Sequence, residues 1–500
     1  MIENLTYAFG LFLSWMNILA IGGGMLCGVI IGAIPGMTGT MAVALALPFT
    51  FNLSPITGIL LLVGIYKGSI YGGSISAILI KTPGTPAASC TVLDGYPLAE
   101  KGNAGKALKM ALFASCTADF ISNISLIFFA GIIASFALRF GPPEFFTLIV
   151  FSLTIIAGVS GNSLLRGLLS GCIGLLLATV GLDLVYGTNR FSFGSFDLMG
   201  GLNFIPVLIG LFALPEMIDA ATKNLSNEKK TSQLDSSNLS FKEYKQSFKT
   251  IIKGSVIGVI MGAIPGIGGA PAAFMSYGEA KRTSKNSNNF GKGELEGVAA
   301  AEAGNSGCCG STMIPLLALG VPGDVITAVI LGAFMIHNLT PGPLLFEQNI
   351  GLVYAIFMGM ILSSFFMLFA GLISIRIFSK IANIPKTLLF PIVLVLCFFG
   401  AYAVNSSLFD VLVMIAMGVL GFFMLKAELP VAPFLIAFIL GPMFEDNLRR
   451  SMLLSHGDLT ILMRSPICWF FGAMTLLSIF FIFRRNMQAF FFKKSTKYLL

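Results

Sequence analysis

Apolar residues run in long blocks along this chain, with the polar residues gathered between them. The blocks at 16–34, 120–138, 353–375, 389–404, 408–425 and 469–483 each hold at most one charged residue. A helix needs about 20 apolar residues to cross a bilayer. With the shorter runs included, the pattern predicts an all-α polytopic membrane protein of roughly ten to twelve membrane-embedded elements. One stretch departs from it. NLSNEKKTSQLDSSNLSFKEYKQSFK, 224–249, is polar throughout and divides the chain into a first membrane part, 1–222, a linker, 223–249, and a second part, 250–500. Its lysines make it the best cytoplasmic segment by the positive-inside rule. The C-terminal Arg484, Arg485, Lys493, Lys494 and Lys497 point the same way. The N-terminus carries Glu3 and no Lys or Arg before Lys67, which places it outside. It also lacks the basic start of a cleaved signal, so the first span is expected to stay.

Two features interrupt the apolar blocks, and each occurs twice. GVIIGAIPG (28–36) returns as GVIMGAIPG (258–266), with Pro35 and Pro265 230 positions apart. A Pro-Gly pair follows each copy, Pro83-Gly84 and Pro322-Gly323, between short apolar runs. Runs of about 10–14 residues suit re-entrant segments, so each Pro-Gly pair is expected at the tip of a helical hairpin. With the first copy entering from outside and the second from the cytoplasmic linker, the halves are inverted repeats, an arrangement common in secondary transporters. The cluster Lys281, Arg282, Lys285 and Lys292 conflicts with this unless a helix pair returns to the cytoplasmic side.

Gly and Pro free backbone N–H and C=O groups, which at membrane depth must face protein or water. There they become ligands: half-helix N-termini for anions, carbonyls for Na⁺. The candidate substrate contacts are therefore Gly36, Thr38, Gly39, Thr82, Pro83, Gly84, Thr85, Gly266, Gly268, Gly269, Pro322 and Gly323, with Lys81 to attract carboxylates. Thr40, Asn305, Ser306, Ser311, Thr312 and Asp324 are the candidate ion ligands, Asp324 also reading as a helix cap. The bland alternative for each hydroxyl is helix-to-helix hydrogen bonding. Gly22, Gly23, Gly24 and Gly131 read as packing glycines.

Composition narrows the chemistry. The chain is 56% hydrophobic and 11% charged, against about 25% charged in soluble proteins. The eight cysteines lie mostly in apolar runs without metal-ligand spacing, and the two histidines are isolated, so no metal site, cofactor or nucleophile–base pair is expected. GIGGAP (266–271) and GNAGKA (102–107) lack the full spacing of dinucleotide and phosphate loops. Without an ATP site, an ion gradient is the expected energy source. No Lys/Arg groove interleaved with aromatics suggests nucleic acid.

Several long motifs carry a family resemblance: GAIPGMTGT (32–40), YGGSISAILIKTPGTPAASCTVLDGYPLAEKGNAGKAL (71–108), GAIPGIGG (262–269), the 277–307 run, IPLLALGVPGD (314–324) and LTPGPLLF (339–346). Over almost its whole length the chain resembles the large membrane subunit of tripartite tricarboxylate transporters, the TctA type. That resemblance implies a multi-pass protein of the bacterial inner membrane. It implies a small TctB-like membrane subunit and a TctC-like periplasmic binding protein as partners, and carboxylates such as citrate as substrates. It also implies coupling to Na⁺ or H⁺, and no enzymatic activity. A channel using the same broken helices is the rival reading.

Overall fold

The computed structural model describes residues 2–34, 37–159, 163–183, 187–222, 237–381 and 386–480. The first half contains α1 (Ile2–Phe12), α2 (Trp15–Ala33), α3 (Gly39–Ala46), α4 (Pro55–Ile80), α5 (Ala88–Glu100) and α6 (Ala104–Ala137). Then come α7 (Pro142–Val159), α8 (Leu164–Ala178), the short α9 (Phe196–Met199) and α10 (Phe204–Thr222). The second half runs through α11 (Phe241–Ala263), α12 (Gly269–Thr283), α13 (Leu295–Ser311), α14 (Met313–Leu319), α15 (Val325–Ile336), α16 (Pro343–Gln348) and α17 (Ile350–Ile381). It ends with α18 (Lys386–Asn405), α19 (Leu408–Lys426), α20 (Val431–Leu454) and an apolar helix over Pro466–Phe480. Among the described residues, six helices are long and apolar enough to cross a membrane, and shorter apolar helices accompany them. The all-α polytopic architecture read from the apolar blocks is the one the chain adopts.

Two helix pairs organise the middle. Gly24, Gly28 and Gly32 of α2 lie against the Leu61, Ile65 and Ser69 carbonyls of α4, where a Cβ would come within 2.4, 2.3 and 2.4 Å. The contacts advance together along both helices, so α2 and α4 run parallel. Gly254, Gly258 and Gly262 of α11 repeat the pattern against α13, with Gly258 facing Gly304 and Gly262 facing Ser311 and Cys308. Small residues at spacings of four let backbones approach this closely. Gly24 is thus a packing glycine, as expected. Gly23 and Gly131, read the same way, have nothing within 4 Å of a built Cβ.

The two pairs point in opposite directions. Lys67 of α4 meets Asp119 and Asn123 of α6, whereas Tyr71, one turn on, stands level with Leu112, both beside Gly371. Hence α4 and α6 are antiparallel. Ser115 and Ser122 of α6 bond Glu302 and Gly307 of α13 in rising order, so α6 and α13 are parallel. It follows that α4 and α13 are antiparallel.

The hairpins turn elsewhere than expected. Residues 264–268 join α11 to α12, so the second helical hairpin turns at its GAIPG stretch; between α2 and α3, Pro35 and Gly36 lie outside the described residues. YGGSISAILI is no separate short run. It is the end of α4, a continuous helix of 26 residues started by Ser54, whose Oγ accepts the Thr57 N–H, and by Pro55. Within it, Gly72 and Gly73 pack against Val29 and Thr85. The Pro-Gly pairs belong to links that carry the chain back from a helix end into the protein's middle.

The lysine cluster is also resolved. Lys106 bonds Glu243 at 2.8 Å, Lys101 donates to Lys292 O, and Ser284 donates to Glu296. Helix α12 therefore returns to the face from which α11 enters, and one basic face gathers residues 101–109, 237–245 and 281–296. The chain is helical from Phe241, within the span read as linker; 223–236 lies outside the described residues. At this face the Lys106 ammonium and the Ser240 backbone N–H hold the Glu243 carboxyl down to about 2. A depressed carboxyl stabilises above its unfolded value and loses that contribution as pH falls through the folded one. Protection factors at the start of α11, which remove the intrinsic pH dependence of amide exchange, should thus be unchanged from pH 8 to about 5 and fall below about 4. A fall already at pH 6 would contradict the ion pair.

Candidate functional site

Link one lies against α2 and α4, at Gly32 and Gly73, and link two meets the turn of the second hairpin. Link one leaves α4 at Lys81, in the left-handed region with φ 56°. It turns back so that Gly84 N donates to Gly73 O at 3.3 Å. Thr85 Oγ1 accepts the first N–H of α5, from Ala88. Link two leaves α14 at Gly320 and brings Gly323 against Thr312. Gly323 O then accepts the Gly266 N–H at 2.8 Å, joining link two to the tip of hairpin two.

Asp324 stands at this junction. Its Oδ1 accepts from Thr327 N and Oγ1, a capping box that starts α15. Its Oδ2 accepts from Tyr66 OH of α4 at 2.9 Å, and Tyr66 OH is also 3.2 Å from Thr312 Oγ1. A Cβ on Gly268 would lie 3.2 Å from the Asp324 Cβ. Both carboxyl oxygens are thus engaged by the protein, which fits the capping reading.

The other candidates distribute unevenly. Thr38 caps α3 by accepting Met41 N–H at 3.2 Å. Gly39 faces Ser69 Oγ and Ile326, and Thr40 is buried in the next position. Thr82 and Pro83 are half-buried, and Thr82 Oγ1 donates to Ile80 O. Ser311 and Thr312 hydroxyls donate to carbonyls of their own helix, the helix-bonding use noted for such residues. Asn305 is 1% exposed, and neither its Nδ2 nor its Oδ1 has a partner; the buried Ser306 Oγ has none either. Gly269 lies against Asn305, a built Cβ coming within 2.6 Å of Oδ1. Pro322 and Gly323 are buried in link two. Lys81 is exposed at the helix end, its Nζ 5.2 Å above the Tyr96 ring, and does not join the junction. Pro35 and Gly36 lie outside the described residues.

Sequence reading passed over the most deeply buried charges. Lys67 and Asp119 form an ion pair at 3.0 Å with both side chains 0% exposed. Lys67 Nζ also donates to Asn123 Oδ1 and Met360 O, and Ser364 Oγ donates to Asp119. The signal was present: a charge inside an apolar block is a functional hypothesis by default. Glu302, one turn before Asn305, receives hydroxyls from Thr91 and Ser115.

Asp94 of α5 holds the loop ahead of α13. Its Oδ1 accepts the Gly291, Gly293 and Glu294 N–H groups, each at 2.8 Å, and its Oδ2 accepts Tyr277 OH. Asp94→Ala leaves those donors unmatched and is expected to cost about 2–3 kcal/mol. Trypsin should then cut at Lys285 and Lys292 at least about tenfold faster than in the parent; equal rates would refute the anchor.

Among the described residues, no group of three or more His, Cys, Asp or Glu is placed to hold a metal ion. The arrangement offers helix termini, backbone groups and amides in a buried setting, which is binding equipment.

Comparison with known proteins agrees with this character. Residues 18–436 match the model of the tripartite tricarboxylate transporter TctA family. An uncharacterized 52.8 kDa protein of Agrobacterium vitis, from the TAR-I ttuC' 3' region, is 37% identical over 467 residues, 93% of each chain. A second A. vitis protein, from the TAR-II ttuC' 3' region, is 37% identical over 210 residues, 42% of this chain and 87% of its own. No solved structure matches. With the model matched over most of its length and a relative aligned nearly end to end, the chain belongs to the tripartite tricarboxylate transporter TctA family.

Proposed function

We propose that this chain is the permease subunit of an ion-coupled importer of tricarboxylates or related organic acids in a bacterial inner membrane. A periplasmic solute-binding protein delivers the acid, and a small membrane subunit completes the complex. Na⁺ or H⁺ flows with the substrate. One observation carries the reading: the turn of the second hairpin at Gly266 and Gly268, link two at Gly323 and Asp324, and Tyr66 of the antiparallel α4 stand together. Midplane sites built from broken helices are how secondary transporters hold small ions. In this reading residues 1–222 are the first inverted repeat, and 250–500 hold the second repeat plus C-terminal helices. Linker 223–249 and the basic face lie in the cytoplasm, following the positive-inside rule.

The test is uptake into proteoliposomes holding both membrane subunits, with the cognate binding protein outside. Citrate and a panel of dicarboxylates serve as labelled substrates. Accumulation that needs the binding protein and collapses with the ion gradient supports the proposal. Ion currents that need neither would favour a channel.

A further inference from the structure

Four helices begin at the central breaks, and their first turns are not equivalent. Thr38 caps α3, Thr85 takes the first N–H of α5, and Asp324 with Thr327 caps α15. Helix α12, of 15 residues, starts at Gly268 with no side-chain cap. Pro271 sits in its first turn, and Gly266, Gly269 and Ala270 are only half-buried, so the terminus is open to an incoming molecule. Directly behind it stands Asn305, almost wholly buried, with both amide atoms unpartnered and Oδ1 against Gly269. A buried amide without a partner is unfavourable, and a helix N-terminus favours negative charge.

The opposite pole is already occupied. Gly39 of α3 faces Ser69, whose hydroxyl donates to Tyr66 O. The start of α15 holds the Asp324 carboxyl. The two halves thus repeat in backbone but differ in what their poles can accept.

We infer that a carboxylate group of the transported acid binds at the N-terminus of α12, with the unpartnered Asn305 amide turned so that Nδ2 donates to it. The pole beside Asp324 takes no anion. This rests on the transport reading above and adds to it the site's polarity and the residue that reads the charge. Asn305, expected among ion ligands, becomes a substrate contact.

The experiment uses the full chain in nanodiscs and follows thermal unfolding with citrate, malate, tartrate and succinate. At least one acid should stabilise the parent protein. Asn305→Asp places a like charge beside the carboxylate and should raise the half-saturating concentration about 100-fold. Asn305→Ser keeps a neutral donor and should raise it no more than about fivefold. In a parent that binds, equal weakening in both variants, or weakening in neither, overturns the assignment and leaves the transport reading standing. If none of the four acids stabilises the parent, the carboxylate reading of the site itself falls.

Discussion

Asp119→Leu is expected to destabilise the protein by about 3–5 kcal/mol, because it leaves the Lys67 ammonium buried without its counter-charge. The pair is wholly buried between α4 and α6, and all three hydrogens of the ammonium have acceptors: Asp119, Asn123 and the Met360 carbonyl. Desolvation of each ion is large, so the pair need not be worth much more than two well-packed apolar residues. The double variant Lys67→Met/Asp119→Leu should therefore recover more than half of what Asp119→Leu loses. Reversible unfolding in bicelles, run as a double-mutant cycle, measures both. A double variant as unstable as the sum of the singles would mean that the two charges do not act together. Lys67 also lies next to Tyr66, which bonds Asp324. Uptake by the double variant then separates stability from transport: a stable protein that no longer accumulates substrate would place the ion pair in the mechanism.

Gly84→Ala is expected to abolish gradient-driven uptake, by about 100-fold or more, while lowering stability by about 1–3 kcal/mol through overpacking. A Cβ at this position would lie 2.1 Å from Gly32 O, with Gly73 Cα at 2.8 Å. Link one cannot keep its seat between α2 and α4 and also carry a methyl group, so the start of α5 moves. Gly278→Ala is the matched control. Its Cβ meets nothing within 4 Å, and it should melt within about 2 °C of the parent, since Ala favours a helix over Gly. Normal uptake by Gly84→Ala at unchanged melting temperature would show that the link's depth is not needed.

The chain shows its helices plainly in sequence because a bilayer imposes a length on apolar runs. The blocks at 408–425 and 389–404 became α19 and α18 with ends shifted by a few residues. The roles of the two breaks were harder to read. The run before Pro83-Gly84 looks short and separate when only neighbours in sequence are considered. In the fold the missing side chains of Gly72 and Gly73 accommodate Val29 and Thr85, and α4 passes through unbroken. Spacing of four in Gly24, Gly28 and Gly32 was visible, but not the partner that fills it. Lys67 and Asp119 stand 52 positions apart, and nothing local couples them. Asp324 shows the limit differently: one carboxyl beside one Pro-Gly pair serves equally as cap or ligand until Thr327 and Tyr66 are seen on it. Asn305 was named, but its character depends on Gly269, which reaches it only through the hairpin turn.

The pairing of α2 with α3 has a consequence for how the protein is made. Its neighbours arrive late: Ser69 and Gly84 follow by several dozen residues, and Ile326, which packs on Gly39, comes from the other half of the chain. Backbone groups freed by the break are costly in lipid. A nascent chain that has released α2 and α3 into hydrocarbon alone would strand them. Biogenesis of the first half therefore keeps this pair in water or inside the insertion machinery until α4 covers it, and finishes it only when α15 arrives. Truncated chains ending before residue 325 should accordingly be cleared by membrane proteases, although the spans Trp15–Ala33, Pro55–Ile80 and Ala104–Ala137 that they contain are apolar enough to insert.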